Sequence, residues 1–120
     1  EKYDLSNPVY KINVAYNLRY LPSANMVKKA ISDRTFGEIL SVNIECGQYL
    51  PDWRPGTDYR WGVSAQKKLG GGALLELSHE LDYLLWIFGE ISSVTARVEN
   101  TGTLDIDVED NVNALLKTKQ

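Results

Sequence analysis

The single histidine of this 120-residue chain, His79, follows Glu76 by three positions and precedes Asp82 by three, in a stretch that opens with Gly70-Gly71-Gly72. An imidazole moves protons near neutral pH. Carboxylates three residues away on a helix can reach it, orient the ring and stabilise its charged form. Glycines let a backbone approach a ligand without a Cβ in the way, and a helix starting there aims unpaired N–H groups forward. The segment is therefore expected to form one wall of an active site, with His79 as the proton-transfer residue and Glu76 its partner. The plainer alternatives are a histidine satisfied within a core and a solvated stripe of charge. No metal site is expected. Glu-x-x-His-x-x-Asp offers ligands on one helix face, but metal-carboxylate bundles draw ligands from several helices. A second histidine is lacking, and the lone Cys46 excludes a cysteine-based site. Gly70-Gly71-Gly72 also lacks the Gly-x-Gly-x-x-Gly spacing of a dinucleotide fingerprint.

A second cluster has a different chemistry. Tyr49, Trp53, Tyr59 and Trp61 are interleaved with Pro51, Arg54, Pro55, Gly56 and Arg60. The prolines lack donors and the glycine is permissive, so the stretch is read as a loop. Rings beside guanidinium groups suit a small polar ligand with carbon–hydrogen faces, such as a sugar. Alternatively, the rings cap a core.

The elements that must position these groups follow from periodicity. Lys11 to Tyr16 alternates briefly and reads as a strand. Pro22 suits a helix start, Ala24, Val27, Ala30 and Ile31 recur at helical spacing, and Gly37 is the expected stop. Leu40, Val42, Ile44 and Cys46 alternate with Ser41, Asn43 and Glu45, which predicts a strand with Cys46 as a small buried apolar group. Ser64 to Leu69 reads as a short helical turn. Ala73 to Phe88 is expected as one helix ended by Gly89, its leucines on one side and Glu76, His79, Asp82, Tyr83 and Trp86 on another. Val94 to Val98 and Val108 to Lys117 read as strands joined across Asn100-Thr101-Gly102. Consecutive strands argue for antiparallel pairing. The expected fold class is α+β: a mostly antiparallel, open β-sheet with helices packed on one face, interrupted before its closing strand as in a fragment.

Composition narrows the partners. Net charge is −3 and the pI is near 5.1, so neither nucleic acid nor an anionic membrane has electrostatic support. No apolar run approaches spanning length and the first residues do not read as a signal peptide. One cysteine excludes an internal disulfide. A cytoplasmic location and a small-molecule ligand are the expectation.

Several motifs together resemble a known family. Val14-Ala15-Tyr16-Asn17-Leu18-Arg19-Tyr20, the helix leading to Phe36-Gly37-Glu38-Ile39, Trp53-Arg54, the glycine-led segment through His79 and Asp82, Leu84-Leu85-Trp86-Ile87-Phe88-Gly89-Glu90 and Val108-Glu109-Asp110 occur in this order. In these the chain is similar to the glucose–fructose oxidoreductase/inositol dehydrogenase/MocA family over residues 11 to 117. The resemblance implies a C-terminal substrate and oligomerisation domain whose missing partner, a Rossmann domain, binds NAD or NADP. Residues 1–17 would then be a remnant or edge of that absent domain, and 18–120 the substrate-binding α/β domain, truncated at its C-terminus. By the same resemblance His79 exchanges a proton with a hydroxyl of a sugar, nucleotide-sugar or polyol while hydride passes to or from nicotinamide. Glu76 matches the family's catalytic acidic position, although that residue is more often Asp and four positions before the histidine. Tyr16, Arg19, Arg60 and Asp82 are expected to line the substrate pocket, and Gly70, Gly71 and Gly72 to approach the cofactor. Glu1-Lys2-Tyr3 echoes the family's Glu-Lys-Pro, but only eleven residues separate Lys2 from Val14. The lysine's role is therefore not carried over. The chain alone is expected to be inactive and to form homo-oligomers through its sheet face. The rival expectation is a non-catalytic module for sheet-mediated oligomerisation or ligand sensing.

Overall fold

Proline and asparagine set the first helix. The computed structural model describes residues 13–119, and α1 spans Pro22–Ser32. Pro22 stands in its first turn, where a missing N–H costs nothing. Asn25 donates back to the carbonyls of Arg19 (2.8 Å) and Leu21 (3.0 Å), tying the helix to the 3-10 turn Asn17–Tyr20. The helix ends earlier than Gly37. Arg34 takes the left-handed conformation (φ 53°) and Thr35 N–H bonds to Ala30 O at 2.9 Å, closing the last turn.

Residues 13–16 have no regular structure, and Lys2, Lys11 and Ile12 lie outside the described residues, as does most of the expected 1–17 remnant. The predicted strand over 40–46 is likewise not formed. A strand exists only when its N–H and C=O groups meet a neighbour, and none among the described residues pairs with this segment. Its alternation is real but unpartnered, so Leu40 is 88% exposed. Cys46, expected to be buried, is exposed for the same reason.

The expected helix from Ala73 to Phe88 is two helices. The first, α2, spans Ala73–Glu76 and the second, α3, spans Ser78–Phe88, with Leu77 leaving helical geometry at φ −100°, ψ 19°. Gly89 follows α3 with φ 85°. Strands β1 (Ile91–Glu99) and β2 (Asn111–Thr118) then pair antiparallel, as expected. Their register matches Val94 with Leu116, Ala96 with Ala114 and Val98 with Val112, which places these six residues on one face. Thr95, Arg97 and Glu99 share the other face with Leu115, Asn113 and Asn111. Val94 and Val98 are half or more exposed, so the apolar face of this pair is uncovered among the described residues. Among the described residues the architecture is α+β, with three α-helices and one antiparallel strand pair.

Between the strands, residues 100–110 form a docked connection rather than a short turn, and β2 begins at Asn111 instead of Val108. Asn100 holds the loop by donating to Ile106 O (3.0 Å) and Val108 O (2.9 Å). Asp107 accepts from Lys67 N–H at 2.7 Å, and Ala73 N–H donates to Glu109 O at 3.0 Å. Ala65 and Val108 are buried where this connection meets the stretch before α2.

That contact requires glycine. A Cβ on Gly71 would stand 2.2 Å from Val63 O and 2.7 Å from Ser64 O, which are backbone atoms that cannot swing away. On Gly72, at φ +114°, it would meet the Glu109 carboxylate at 2.3 Å. Gly71→Ala should therefore lower unfolding stability by on the order of 2 kcal/mol or more, read from the urea midpoint. Gly47→Ala is the control, since a Cβ there meets nothing within 4 Å. It should stay within about 0.5 kcal/mol of wild type. Equal effects at the two positions would show that the close approach is not what fixes this glycine.

Candidate active site

The site begins with a charge pair that crosses the fold. Asp82, buried in the second turn of α3, accepts from Arg19 Nε at 2.7 Å and Nη2 at 2.5 Å. This two-point fork fixes both distance and plane. The Arg19 guanidinium holds the Asp82 carboxyl below the usual carboxylate range, and Asp82 in turn raises the guanidinium. Beside it, Lys28 of α1 donates to Trp86 O at 2.7 Å and lies 4.3 Å from the Trp86 ring centroid. Arg19 is 6.0 Å from the same ring. These contacts bolt α3 to the Asn17–Tyr20 turn and α1. Arg19 and Asp82, both expected to face substrate, therefore face each other. Tyr16 precedes the turn at φ 36°, and its carbonyl accepts from Arg19 N–H.

One turn before Asp82, His79 lies in the opening turn of α3 with its side chain 34% exposed. It is neither walled into the interior nor fully solvated. Its acidic partner is Glu80, with Nε2 and Oε1 3.2 Å apart. A carboxylate only accepts, so Glu80 can face an imidazole N–H on that side of the ring. The other Glu80 oxygen accepts from the Tyr83 hydroxyl. Burial, then the Glu80 charge, raises the Tyr83 phenol above its ordinary value. Sequence reasoning did not assign Glu80 a role, because adjacent helix positions diverge in direction. Its spacing of three to Tyr83 was the available signal.

The break at Leu77 separates Glu76 from the imidazole's helix. Glu76 instead accepts from the Ser64 hydroxyl at 2.8 Å. Ser64 also lines a cavity of about 210 Å³ walled by Leu50, Trp53, Arg54, Tyr59 and Trp61. The aromatic loop thus forms a concave surface whose inner edge reaches Glu76 through one hydroxyl. Arg60 turns away to Asp58 (2.6 Å) and Asp105 (3.4 Å). Those two carboxylates raise its pKa, and Arg60 lowers that of Asp58. Asp105 N–H donates to the Tyr59 hydroxyl at 3.3 Å, pinning the loop to the strand connection. Among the described residues, no hydrogen bond joins Tyr16 or Arg60 to His79.

A nicotinamide dinucleotide needs free N–H groups or cations for its phosphates. The glycine segment does not fit that need. Gly71 N–H bonds to Gln66 O, Gly72 N–H to Ser64 O, Ala73 N–H to Glu109 O and Leu74 N–H to Glu109 Oε1. The expected approach of Gly70, Gly71 and Gly72 to a cofactor is thus replaced by packing against the chain itself. A different group of donors is brought together elsewhere: Cys46, His79 and Glu80 place one potential ligand atom each within 4.8 Å of one another.

Residues 25–120 match the family described as GFO/IDH/MocA C-terminal domain. A levoglucosan dehydrogenase of Pseudarthrobacter phenanthrenivorans is 37% identical over 87 residues, covering 69% of this chain and 21% of that protein. An uncharacterized oxidoreductase of Synechocystis is 30% identical over 84 residues, covering 69% of this chain and 22% of its own length. A putative oxidoreductase of Bacillus subtilis, YteT, is 32% identical over 82 residues, covering 67% and 18%. The chain spans about a fifth of the length of these curated relatives. No solved structure matches it significantly. No helix among the described residues is long and apolar enough to cross a membrane.

The Arg19–Asp82 fork has a pH signature. Because the folded-state pKa of Asp82 is depressed, its contribution is complete above the ordinary carboxylate pKa and is lost as pH falls through the folded value. Arg19→Ala should lower the thermal midpoint by roughly 5 °C near neutrality. Its melting curve should converge on that of wild type in acid, once pH has fallen through the depressed folded value. A gap that persists undiminished in acid would mean the fork acts through packing rather than charge.

Proposed function

The chain belongs to the GFO/IDH/MocA family, and on that footing we propose that it is the substrate-binding and catalytic part of an NAD(P)-dependent oxidoreductase acting on a sugar, nucleotide-sugar or polyol hydroxyl. The observation that carries this reading is the partly exposed His79 ring, with the Glu80 carboxylate 3.2 Å from its Nε2. Oxidation of an alcohol removes a hydride from carbon and a proton from oxygen, and the carbonyl forms between them. A nicotinamide cofactor, when bound, would supply the hydride acceptor. His79 takes the hydroxyl proton and returns it in the reverse direction, and Glu80 stabilises the imidazolium that forms in between.

Substrate class rests on the aromatic cavity. Trp53, Tyr59 and Trp61 offer ring faces, and Ser64 with Glu76 offers a polar edge. Apolar ring faces beside hydrogen-bonding groups match the carbon–hydrogen faces and hydroxyls of a sugar. The name of the levoglucosan dehydrogenase relative points the same way. Glu76 acts as a positioning residue at that edge, and Arg19 and Asp82 act as the frame that fixes α3. The apolar strand face carrying Val94, Ala96 and Val98 supports self-association as the accompanying partner.

In the full-length enzyme, His79→Ala should lower kcat by about 10² to 10⁴-fold with a much smaller change in KM. Circular dichroism should stay at the wild-type spectrum, since the ring is partly exposed and holds no buried contact of its own. Wild-type turnover in a folded His79→Ala protein would remove the proton-transfer assignment.

A further inference from the structure

We propose that Cys46, His79 and Glu80 form a binding site for one thiophilic divalent transition-metal ion, of the zinc class. The three groups come from two distant parts of the chain, the irregular segment after α1 and the first turn of α3. One ligand atom from each lies within 4.8 Å of the others, and His79 Nε2 and Glu80 Oε1 are 3.2 Å apart. Ligand atoms sharing a tetrahedral zinc ion sit roughly 3.5 Å apart, given zinc bond lengths near 2.0–2.3 Å. The imidazole and carboxylate already have that spacing. The exposed Cys46 thiol stands beside the same Glu80 carboxylate and completes the set.

The ligand set itself selects the ion. A thiolate and an imidazole favour zinc, cobalt or copper over magnesium and calcium, which prefer oxygen. Three protein ligands on one side leave a fourth position open to solvent. The carboxylate is also already oriented, since one oxygen faces the imidazole while the other accepts from the half-buried Tyr83 hydroxyl. Such an outer hydrogen bond fixes a metal-bound carboxylate in one-oxygen coordination.

Binding replaces the thiol proton of Cys46, so affinity rises with pH. An ion in this position engages the imidazole used in the proposed proton transfer and should suppress turnover reversibly. That consequence rests on the functional reading above, whereas binding itself does not.

The test is a titration of the tag-free, full-length protein with Co²⁺, followed by displacement with Zn²⁺. One equivalent of Co²⁺ should produce a thiolate-to-cobalt charge-transfer band in the near ultraviolet and intense visible bands of a four-coordinate ion. Stoichiometric Zn²⁺ should abolish both. Cys46→Ser should lose the charge-transfer band and weaken Zn²⁺ binding at least about tenfold, and Tyr83→Phe should weaken it by about tenfold with the band retained. Unchanged circular dichroism in both variants would show that they fold. No thiolate band at saturating Co²⁺, or wild-type Zn²⁺ affinity in Cys46→Ser, would overturn the site whatever the catalytic assays show. A dehydrogenase activity lost in His79→Ala but unaffected by bound Zn²⁺ would overturn only the link between the site and turnover.

Discussion

The two-point contact between Arg19 and Asp82 is the constraint on which the site depends. α3 is short, begins after a break and has no side-chain cap at its N-terminus. Its orientation is therefore fixed from outside, by a carboxylate buried against a guanidinium and by Lys28 at its C-terminal carbonyls. A lysine there also opposes the negative end of the helix dipole. With α3 held, the imidazole one turn earlier has a defined position.

A second constraint holds the other wall. The stretch before α2 and the connection between β1 and β2 meet so closely that glycine is required at position 71, and the Glu109 carboxylate receives the N-terminal N–H of Leu74. Val108 and Ala65 supply the apolar contact. Through Ser64 and Glu76 this junction also forms the edge of the aromatic cavity. The glycines thus act structurally, bringing two loops together, rather than as a cradle for phosphate.

Between these walls the acidic partners are distributed in an order that spacing did not anticipate. Glu76 goes to Ser64, Asp82 goes to Arg19, and Glu80 goes to His79 and Tyr83. Each carboxylate has a distinct environment, so the three do different work despite lying within one turn or two of each other. Orientation of the ring falls to Glu80, alignment of the helix to Asp82, and the cavity edge to Glu76.

Much of this was legible from residues alone. The amphipathic pattern and Pro22 foretold α1, and alternation in 94–98 and 108–117 foretold an antiparallel pair. Local rules suffice there because periodicity, φ restrictions and residue chemistry act over a few positions. The break at Leu77, the irregular course of 40–46, the docking of 100–110 and the meeting of Cys46 with His79 were decided by tertiary structure. A strand needs a neighbour to bond, a helix yields where its ends are pulled by separate contacts, and two residues thirty-three positions apart meet only when the backbone between them is folded. Sequence singled out the lone histidine, while packing chose its partners.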